Sequence, residues 1–329
     1  MKTINLKQLA EMLSLNISTV SRALNGHPDI KEETRARVKY AAEQFNYVPN
    51  LHARYFRKKS SSMIAVVLPE YNMFFYPELM MGINSVLHQN GYSLIVFFSN
   101  NSREEEVNII RHCLSWVVDA VIISLGAETT DLSHLSLLKD ANISVLLVDK
   151  VLYTNEFSTI TIDEENAARS SVGLLVKRGR RRILGLFAKQ QLEISKRRSK
   201  GFLEGIEENS IPMENCCVKF IDDPNQIANF STDFLKSFDA VFVMTDALLL
   251  PLYSLLKKEN LYPGSVSVVA ISDGYLPRQL YPNVSHIHHS GKIVGVTAAE
   301  TLLKMIREEQ SHDHIKVPVS LVVFDEINP

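Results

Sequence analysis

The run Asn16-Ile17-Ser18-Thr19-Val20-Ser21-Arg22-Ala23-Leu24-Asn25-Gly26 marks out one short helix at both of its ends. Asn16 has the side-chain acceptor that suits an N-cap, and Gly26 can take the left-handed conformation that closes a helix. At helical periodicity Val20 and Leu24 fall on one side, while Ser18, Ser21, Arg22 and Asn25 fall on the other. The first side suits a small core and the second suits hydrogen bonding.

Just upstream, Leu6, Leu9, Ala10 and Leu13 recur at helical spacing behind Asn5, with Gln8 three residues on in the capping-box pattern. Only Ser14 and Leu15 separate the two helices. The spacing predicts a third helix over residues 32–45, with Val38, Ala41, Ala42 and Phe45 inward. Three short helices with a tight first connection form a helix-turn-helix unit, whose second helix can enter the major groove of DNA. An ordinary amphipathic surface helix is the commoner meaning of such a pattern, and charge decides against it here. Residues 1–60 hold eleven Lys and Arg against five Asp and Glu, a net +6 in a chain whose total is −2, so the remainder carries −8. A cationic end on an acidic body is the electrostatic footprint of a polyanion partner.

With 329 residues, 46% of them hydrophobic, the chain is long enough for a second and larger unit. No apolar run reaches the ~20 residues that span a bilayer. No apolar segment follows the N-terminal Met1-Lys2, so no secretory signal is visible and the cytoplasm is the expected compartment. Cys113, Cys216 and Cys217 are too few and too poorly spaced for a disulfide framework or a zinc site, and read as free thiols. His286, His288 and His289 cluster near one predicted strand without a carboxylate or cysteine close in sequence, so they read as pocket-edge or surface histidines rather than metal ligands. The basic run Arg178-Gly179-Arg180-Arg181-Arg182 lies between a helix and a strand and reads as a solvated loop. No phosphate-binding or dinucleotide loop has the required glycine spacing. Neither a metal nor a cofactor is expected.

Beyond residue 62 short β-rich runs alternate with helical patterns, which predicts parallel α/β architecture. Strands are expected over 63–69, 93–99, 120–125, 144–149 and 159–162, and again over 183–188, 218–221, 240–244, 267–272 and 285–288. Two sets of five imply two doubly wound lobes with a ligand cleft at the carboxyl ends of their strands. On chemistry alone, the strand-end groups able to hydrogen-bond or stack in such a cleft are Asn72, Phe74, Phe75, Ser99, Asn100, Asp149, Asp163, Asp246, Ser272 and Asp273. Core packing competes as an explanation for Phe74 and Phe75, and helix capping for Asp246.

Several spaced motifs occur together: Thr19-Val20-Ser21-Arg22, Leu24-Asn25-Gly26, Glu33-Thr34-Arg35-Ala36-Arg37-Val38 and Tyr47-Val48-Pro49-Asn50. With them the chain resembles the lactose-repressor and purine-repressor family of bacterial transcription regulators, over nearly its whole length. The resemblance implies a helix-turn-helix headpiece over 1–50, a hinge helix and linker over 51–62, and an effector-binding and dimerisation domain over 63–329. That last domain is similar to periplasmic sugar-binding proteins. Its lobes would span about 63–162 with 291–318, and 163–290 with 319–329, with crossings near Asp163, Ser290 and Pro318. In the family the hinge segment folds on DNA and wedges a leucine between base steps of the minor groove, where this chain has Phe56.

By the same resemblance, Asn72-Met73-Phe74-Phe75 occupies the family's Asn-Pro-Phe-Phe stretch and Arg198 its ligand-binding arginine. Asp246 stands in its Asn-Asp pair, Ser272-Asp273 replaces an acidic pair, and His289 replaces a frequent glutamine. The expected effector site is Asn72, Phe74, Phe75, Asp149, Arg198, Asp246, Ser272, Asp273 and His289. The expected DNA contacts are Ile17, Ser18 and Arg22 to base edges, with Thr19, Ser21, Asn25, Asn50, Arg54 and Phe56 on the backbone or in the minor groove. The implied function is an operator-binding repressor controlled by a small molecule, a carbohydrate by family precedent. It would act as a homodimer, since no heptad repeat follows Pro318. One rival is a sugar- or nucleoside-acting enzyme using Asp163, Asp246 and Asp273 as acid and base, but no nucleophile-base motif accompanies them. The other is a periplasmic-type small-molecule-binding protein without a regulatory role, which the helix-turn-helix and the lack of a visible export signal oppose.

Overall fold

The computed structural model describes residues 4–47, 60–71, 75–307 and 313–325. The chain divides into two compact units, Met1–Ser61 and Ser62–Pro329. Asn50, Arg54 and Phe56, and with them most of the expected hinge, lie outside the described residues, as do Asn72 and Phe74.

The small unit holds α1 (Leu6–Leu13), α2 (Ile17–Leu24) and α3 (Glu32–Gln44). Asn5 and Gln8 exchange backbone and side-chain hydrogen bonds at 2.9 and 3.0 Å, which completes the capping box read from the sequence. Asn16 takes the N-cap position of α2 in extended conformation, but its side chain makes no capping bond. Gly26 follows at φ +71°. Leu9, Ala10, Leu13, Val20, Ala23, Val38 and Ala41 form the core. Ala23 rather than Leu24 is the fully buried partner of Val20, and Phe45 is exposed instead of inward because α3 ends one residue before it.

The large unit contains β1 (Met63–Leu68), β2 (Ser93–Phe98), β3 (Ala120–Ile123), β4 (Ser144–Val148), β5 (Ser158–Ile162), β6 (Ile183–Phe187) and β7 (Cys216–Phe220). They are followed by β8 (Ala240–Val243), β9 (Ser267–Ser272), β10 (Ser285–His288), β11 (His314–Val317) and β12 (Ser320–Val322). Its helices are α4 (Phe75–Gln89), α5 (Arg103–Ser115), α6 (Ser136–Asp140), α7 (Glu164–Lys177), α8 (Glu193–Glu208), α9 (Thr232–Lys236), α10 (Asp246–Lys258), α11 (Tyr275–Gln279) and α12 (Gly291–Ile306).

The strands sort into two six-stranded sheets, ordered β11-β5-β4-β3-β1-β2 and β12-β10-β9-β8-β6-β7. Continuous apolar runs such as Met-Ile-Ala-Val-Val-Leu in β1 are buried on both faces, as parallel strands covered by helices must be. Each sheet gains one strand that the sequence pattern did not reveal, β11 pairing parallel with β5 and β12 antiparallel with β10. The second sheet is therefore mixed rather than wholly parallel. Since β5, β10 and β11 each precede an element of the other lobe, the chain passes between lobes three times.

Each lobe is faced by a pair of helices in backbone contact. A Cβ on Gly295 of α12 would lie 2.2 Å from the Leu79 carbonyl oxygen of α4, and one on Gly201 of α8 would lie 2.1 Å from that of Glu165 in α7. Only glycine permits approach this close. The second pair carries Arg198 and Glu164 toward the same point between the lobes.

Candidate functional sites

On the small unit, Ile17, Ser18, Arg22 and Asn25 are exposed along α2, and Thr19 and Ser21 are half-buried. The Asn25 side-chain amide donates to the Ser21 carbonyl at 2.6 Å, which holds the end of this face in place. Not every nearby cation is available to a polyanion. Arg37 donates to the Leu13 carbonyl at 2.8 Å, tying α3 to α1. Arg35 pairs with Glu32 at 2.7 Å and donates to the carbonyls of His27 and Ile30. Arg22, Lys31 and Lys39 stay exposed, so the helix offers hydrogen-bonding side chains beside positive charge, as a DNA reader requires.

The run at residues 178–182 is a loop in which Arg181 and Arg182 stay exposed, as expected, while Arg178 and Arg180 clasp neighbouring segments. Arg178 donates to Ser285 Oγ and to the Phe324 carbonyl, both at 2.7 Å, and Arg180 to the Gly264 carbonyl at 3.1 Å. The Arg181 and Arg182 backbone amides donate to Asp239.

In the large unit a cavity of about 390 Å³ lies between the lobes. Glu70, Asn101, Ala127, Asp149, Lys189, Asp222, Asp246 and His289 each follow the carboxyl end of a strand and line it. Of the expected effector residues, Phe75, Asp149, Arg198, Asp246 and His289 meet at its wall. Ser272 and Asp273 are buried but stand behind it. Asp163 caps α7 and pairs with Lys316 at 3.2 Å, and Asn100 is exposed; neither lines the cavity. Ser99 is fully buried and also absent from the wall.

Arg198 ties the second lobe together at the cleft floor. Its Nε donates to Glu164 Oε2 at 2.5 Å and its Nη1 to the Met244 carbonyl. Both partners of the ion pair are almost wholly buried, and burial raises the Glu164 carboxyl while the Arg198 charge opposes that rise. Asp149 sits at φ +59°, a backbone conformation costly for most residues but tolerated by aspartate. Its Oδ2 accepts from the buried Tyr76 hydroxyl at 3.1 Å. Burial pushes this carboxyl up, against the opposing charges of Lys150 and Arg198. His289 packs its ring on Phe75, centroids 4.9 Å apart. Burial, with Arg198 second, holds it neutral far below the usual histidine range.

Asp246 begins α10, with Thr245 in the cap position, so the carboxylate is not a helix cap. Its Oδ2 accepts from Ser272 Oγ at 2.8 Å, and Ser272 Oγ in turn accepts from the Gly274 amide at 3.0 Å. Burial pushes Asp246 up to about 7, partly offset by the Ser272 hydroxyl. Asp273 accepts from the Tyr275 amide at 2.8 Å, and burial raises it too.

Sequence reasoning missed Tyr76, Glu164, and the Glu70–Lys150 ion pair at 3.1 Å. It also missed the apolar wall supplied by Leu192, Ile194, Ile221, Pro224 and Leu248. The strand-end rule reaches Glu70 and Lys150; nothing in sequence marks Glu164 as the partner of Arg198. Polar groups set into an apolar wall between hinged lobes are suited to holding a small molecule. Among the described residues no group of three or more His, Cys, Asp or Glu is placed to hold a metal ion, and no helix is long and apolar enough to cross a membrane.

Residues 61–324 match the model for periplasmic binding proteins and sugar binding domain of LacI family, and residues 6–50 that for bacterial regulatory proteins, lacI family. Catabolite control protein A of Priestia megaterium is 25% identical over 312 residues, 93% of each chain. The HTH-type transcriptional repressor PurR of Vibrio vulnificus is 24% identical over 328 residues, 98% of each. The lac repressor dimer bound to operator and the anti-inducer ONPF is similar in fold, with a TM-score of 0.85, 22% identity and 98% of each chain covered. The complex of the transcriptional regulator CelR with cellobiose has a TM-score of 0.71 at 21% identity, covering 97% of this chain and 98% of that one.

Proposed function

Because this chain belongs to the LacI family of bacterial transcriptional regulators, we propose that it represses transcription from a near-palindromic operator and that a carbohydrate bound between its lobes controls that binding. The relatives are transcriptional regulators, not enzymes. The observation that carries the reading is the interlobe cavity, where Arg198, Asp149 and Asp246 converge from different elements on one small-molecule-sized space. Such convergence at strand ends is what a hinged binding site needs.

In this reading Ile17, Ser18 and Arg22 meet base edges, with Arg22 bidentate to guanine, while Thr19, Ser21, Asn25, Asn50 and Arg54 hold the backbone and Phe56 wedges the minor groove. Two copies are required, one per half-site. The effector selects one lobe arrangement, which sets whether the 51–62 segments of two subunits pair over DNA. A coupling of about 1–3 kcal/mol suffices for a useful switch. As a DNA-binding regulator the protein works in the cytoplasm.

Selection of bound duplexes from a random pool by the purified protein, repeated across a sugar panel, tests the proposal. A recovered palindrome whose retention changes with one sugar is the expected result. No enrichment of any sequence, with or without sugars, would end it.

A further inference from the structure

Four carboxyl groups stand at or just behind the cavity wall: Asp149, Glu164, Asp246 and Asp273. One buried guanidinium, Arg198, lies among them, and its Nε and Nη1 are already given to Glu164 and the Met244 carbonyl. Of the two lysines lining the cavity, Lys150 is paired with Glu70. Lys189 and the exposed Asp222 follow paired strands β6 and β7 at equivalent positions, two residues beyond Phe187 and Phe220, so the rim carries both signs. At the wall and just behind it carboxyl groups outnumber cations, and burial holds these carboxyls toward their protonated forms.

Asp246 is the group left over. It is 9% exposed, and its Oδ1 is buried with no hydrogen-bond partner, although Oδ2 is held by Ser272. A buried acceptor left unpaired carries a desolvation cost, and a ligand that fills it recovers that cost. Since Asp246 lines the cavity, a ligand there can supply the missing donor.

We propose that the effector is an uncharged, hydroxyl-bearing carbohydrate rather than a phosphorylated or carboxylated one, and that one of its hydroxyls donates to Asp246 Oδ1. This rests on the carbohydrate reading of the site. An anionic group would be brought against these carboxyl groups in a low-dielectric wall whose guanidinium is already engaged by Glu164. A hydroxyl donor satisfies the carboxylate without adding charge.

Burial pushes Asp246 up to about 7, so the empty cleft near neutrality contains both its acid and its carboxylate. Hydroxyl donation selects the carboxylate, so binding releases a proton and strengthens as pH rises. The neighbours that bear on this titration are the Ser272 hydroxyl, the Asp273 backbone amide and the Arg198 charge, which favour the carboxylate, and the Asp273 side-chain charge, which opposes it. Asp273 is in turn influenced by Glu78 and His288. His289 is held neutral well below this range and contributes no step.

The test uses the full-length protein and a thermal-shift panel of glucose, galactose, ribose, maltose and cellobiose beside glucose phosphate, ribose phosphate and glucuronate. Titration calorimetry at about pH 6 and about pH 8 follows for any sugar that stabilises. A neutral sugar should bind about tenfold more tightly at the higher pH, the change expected for a carboxyl titrating midway. Asp246→Asn should bind with no such dependence. Ser272→Ala, which removes the hydroxyl that favours the carboxylate, should move the rise to higher pH. A phosphorylated or acidic sugar that outbinds its neutral parent overturns the proposal, as does a neutral sugar whose affinity ignores pH or a Ser272→Ala profile that does not move. Stabilisation by no sugar at all overturns the carbohydrate reading beneath it.

Discussion

The guanidinium carbon of Arg197 lies 3.8 Å from the ring centroid of Tyr153. Arg197 belongs to α8 of the second lobe and Tyr153 follows β4 of the first, so this cation–π contact bridges the two lobes. Both partners are braced. Arg197 Nε is 3.4 Å from Glu193, the Tyr153 hydroxyl is 3.1 Å from Thr161 Oγ1, and His314 packs edge-on against the Tyr153 ring. Arg197→Ala should favour the open arrangement by about 0.5–2 kcal/mol. In small-angle scattering of the unliganded protein the radius of gyration should grow, and a bound sugar should be held more weakly. An unchanged scattering curve with unchanged affinity would show that the contact does not bias closure.

Arg198 and Glu164 form a buried pair whose value is best seen when it is broken. Arg198→Ala leaves a carboxyl 3% exposed without its cation and the Met244 carbonyl without its donor. A loss of about 3–5 kcal/mol in denaturant unfolding is expected. Adding Glu164→Gln to that variant should restore part of the loss, because the unpaired charge is then gone. If the double variant were as unstable as the single one, packing rather than charge would dominate at this point.

The two arginines Arg22 and Arg37 separate reading from folding in the small unit. Arg22 is exposed on α2, whereas Arg37 is spent on the Leu13 carbonyl. Arg22→Ala should weaken operator binding by about 1–3 kcal/mol and leave affinity for random duplex nearly intact. Arg37→Ala should instead speed hydrogen exchange across residues 4–47 of the intact protein. Equal losses by Arg22→Ala on operator and random DNA would reduce that residue to a phosphate contact.

The same contrast shows what sequence could and could not deliver. Net charge marked the small unit as cationic, yet periodicity gave no sign that Arg35 and Arg37 were committed to backbone carbonyls, because carbonyl partners leave no trace in side-chain pattern. Ten strands were legible as apolar runs bounded by helices. β11, His-Ile-Lys-Val, and β12, Ser-Leu-Val, are short, sit at sheet edges and alternate with polar groups, so they lack that signal. In the cleft, Phe75, Asp149, Asp246 and His289 could be placed from strand ends and family motif. Tyr76 and Glu164 could not, since their roles depend on contacts 73 and 34 residues away along the chain.

Asp246 should leave its mark on the stability of the empty protein as well as on ligand binding. Its folded-state carboxyl is pushed up to about 7 by burial, while an aspartate in the unfolded chain titrates near ~3.9. Between those values the unfolded state has lost its proton and the folded state retains it. The stability Asp246 contributes is therefore fully present below about pH 4 and is lost as pH rises through about 7. Asp246→Asn cannot ionise, so it should gain about 2–4 kcal/mol relative to the native chain between about pH 4 and pH 8. Urea midpoints measured for both proteins across that range give the difference directly, and the other buried carboxyls, present in both, largely cancel. Parallel curves would mean that Asp246 is already ionised in the empty cleft, with a cation or water supplying the partner that its Oδ1 otherwise lacks.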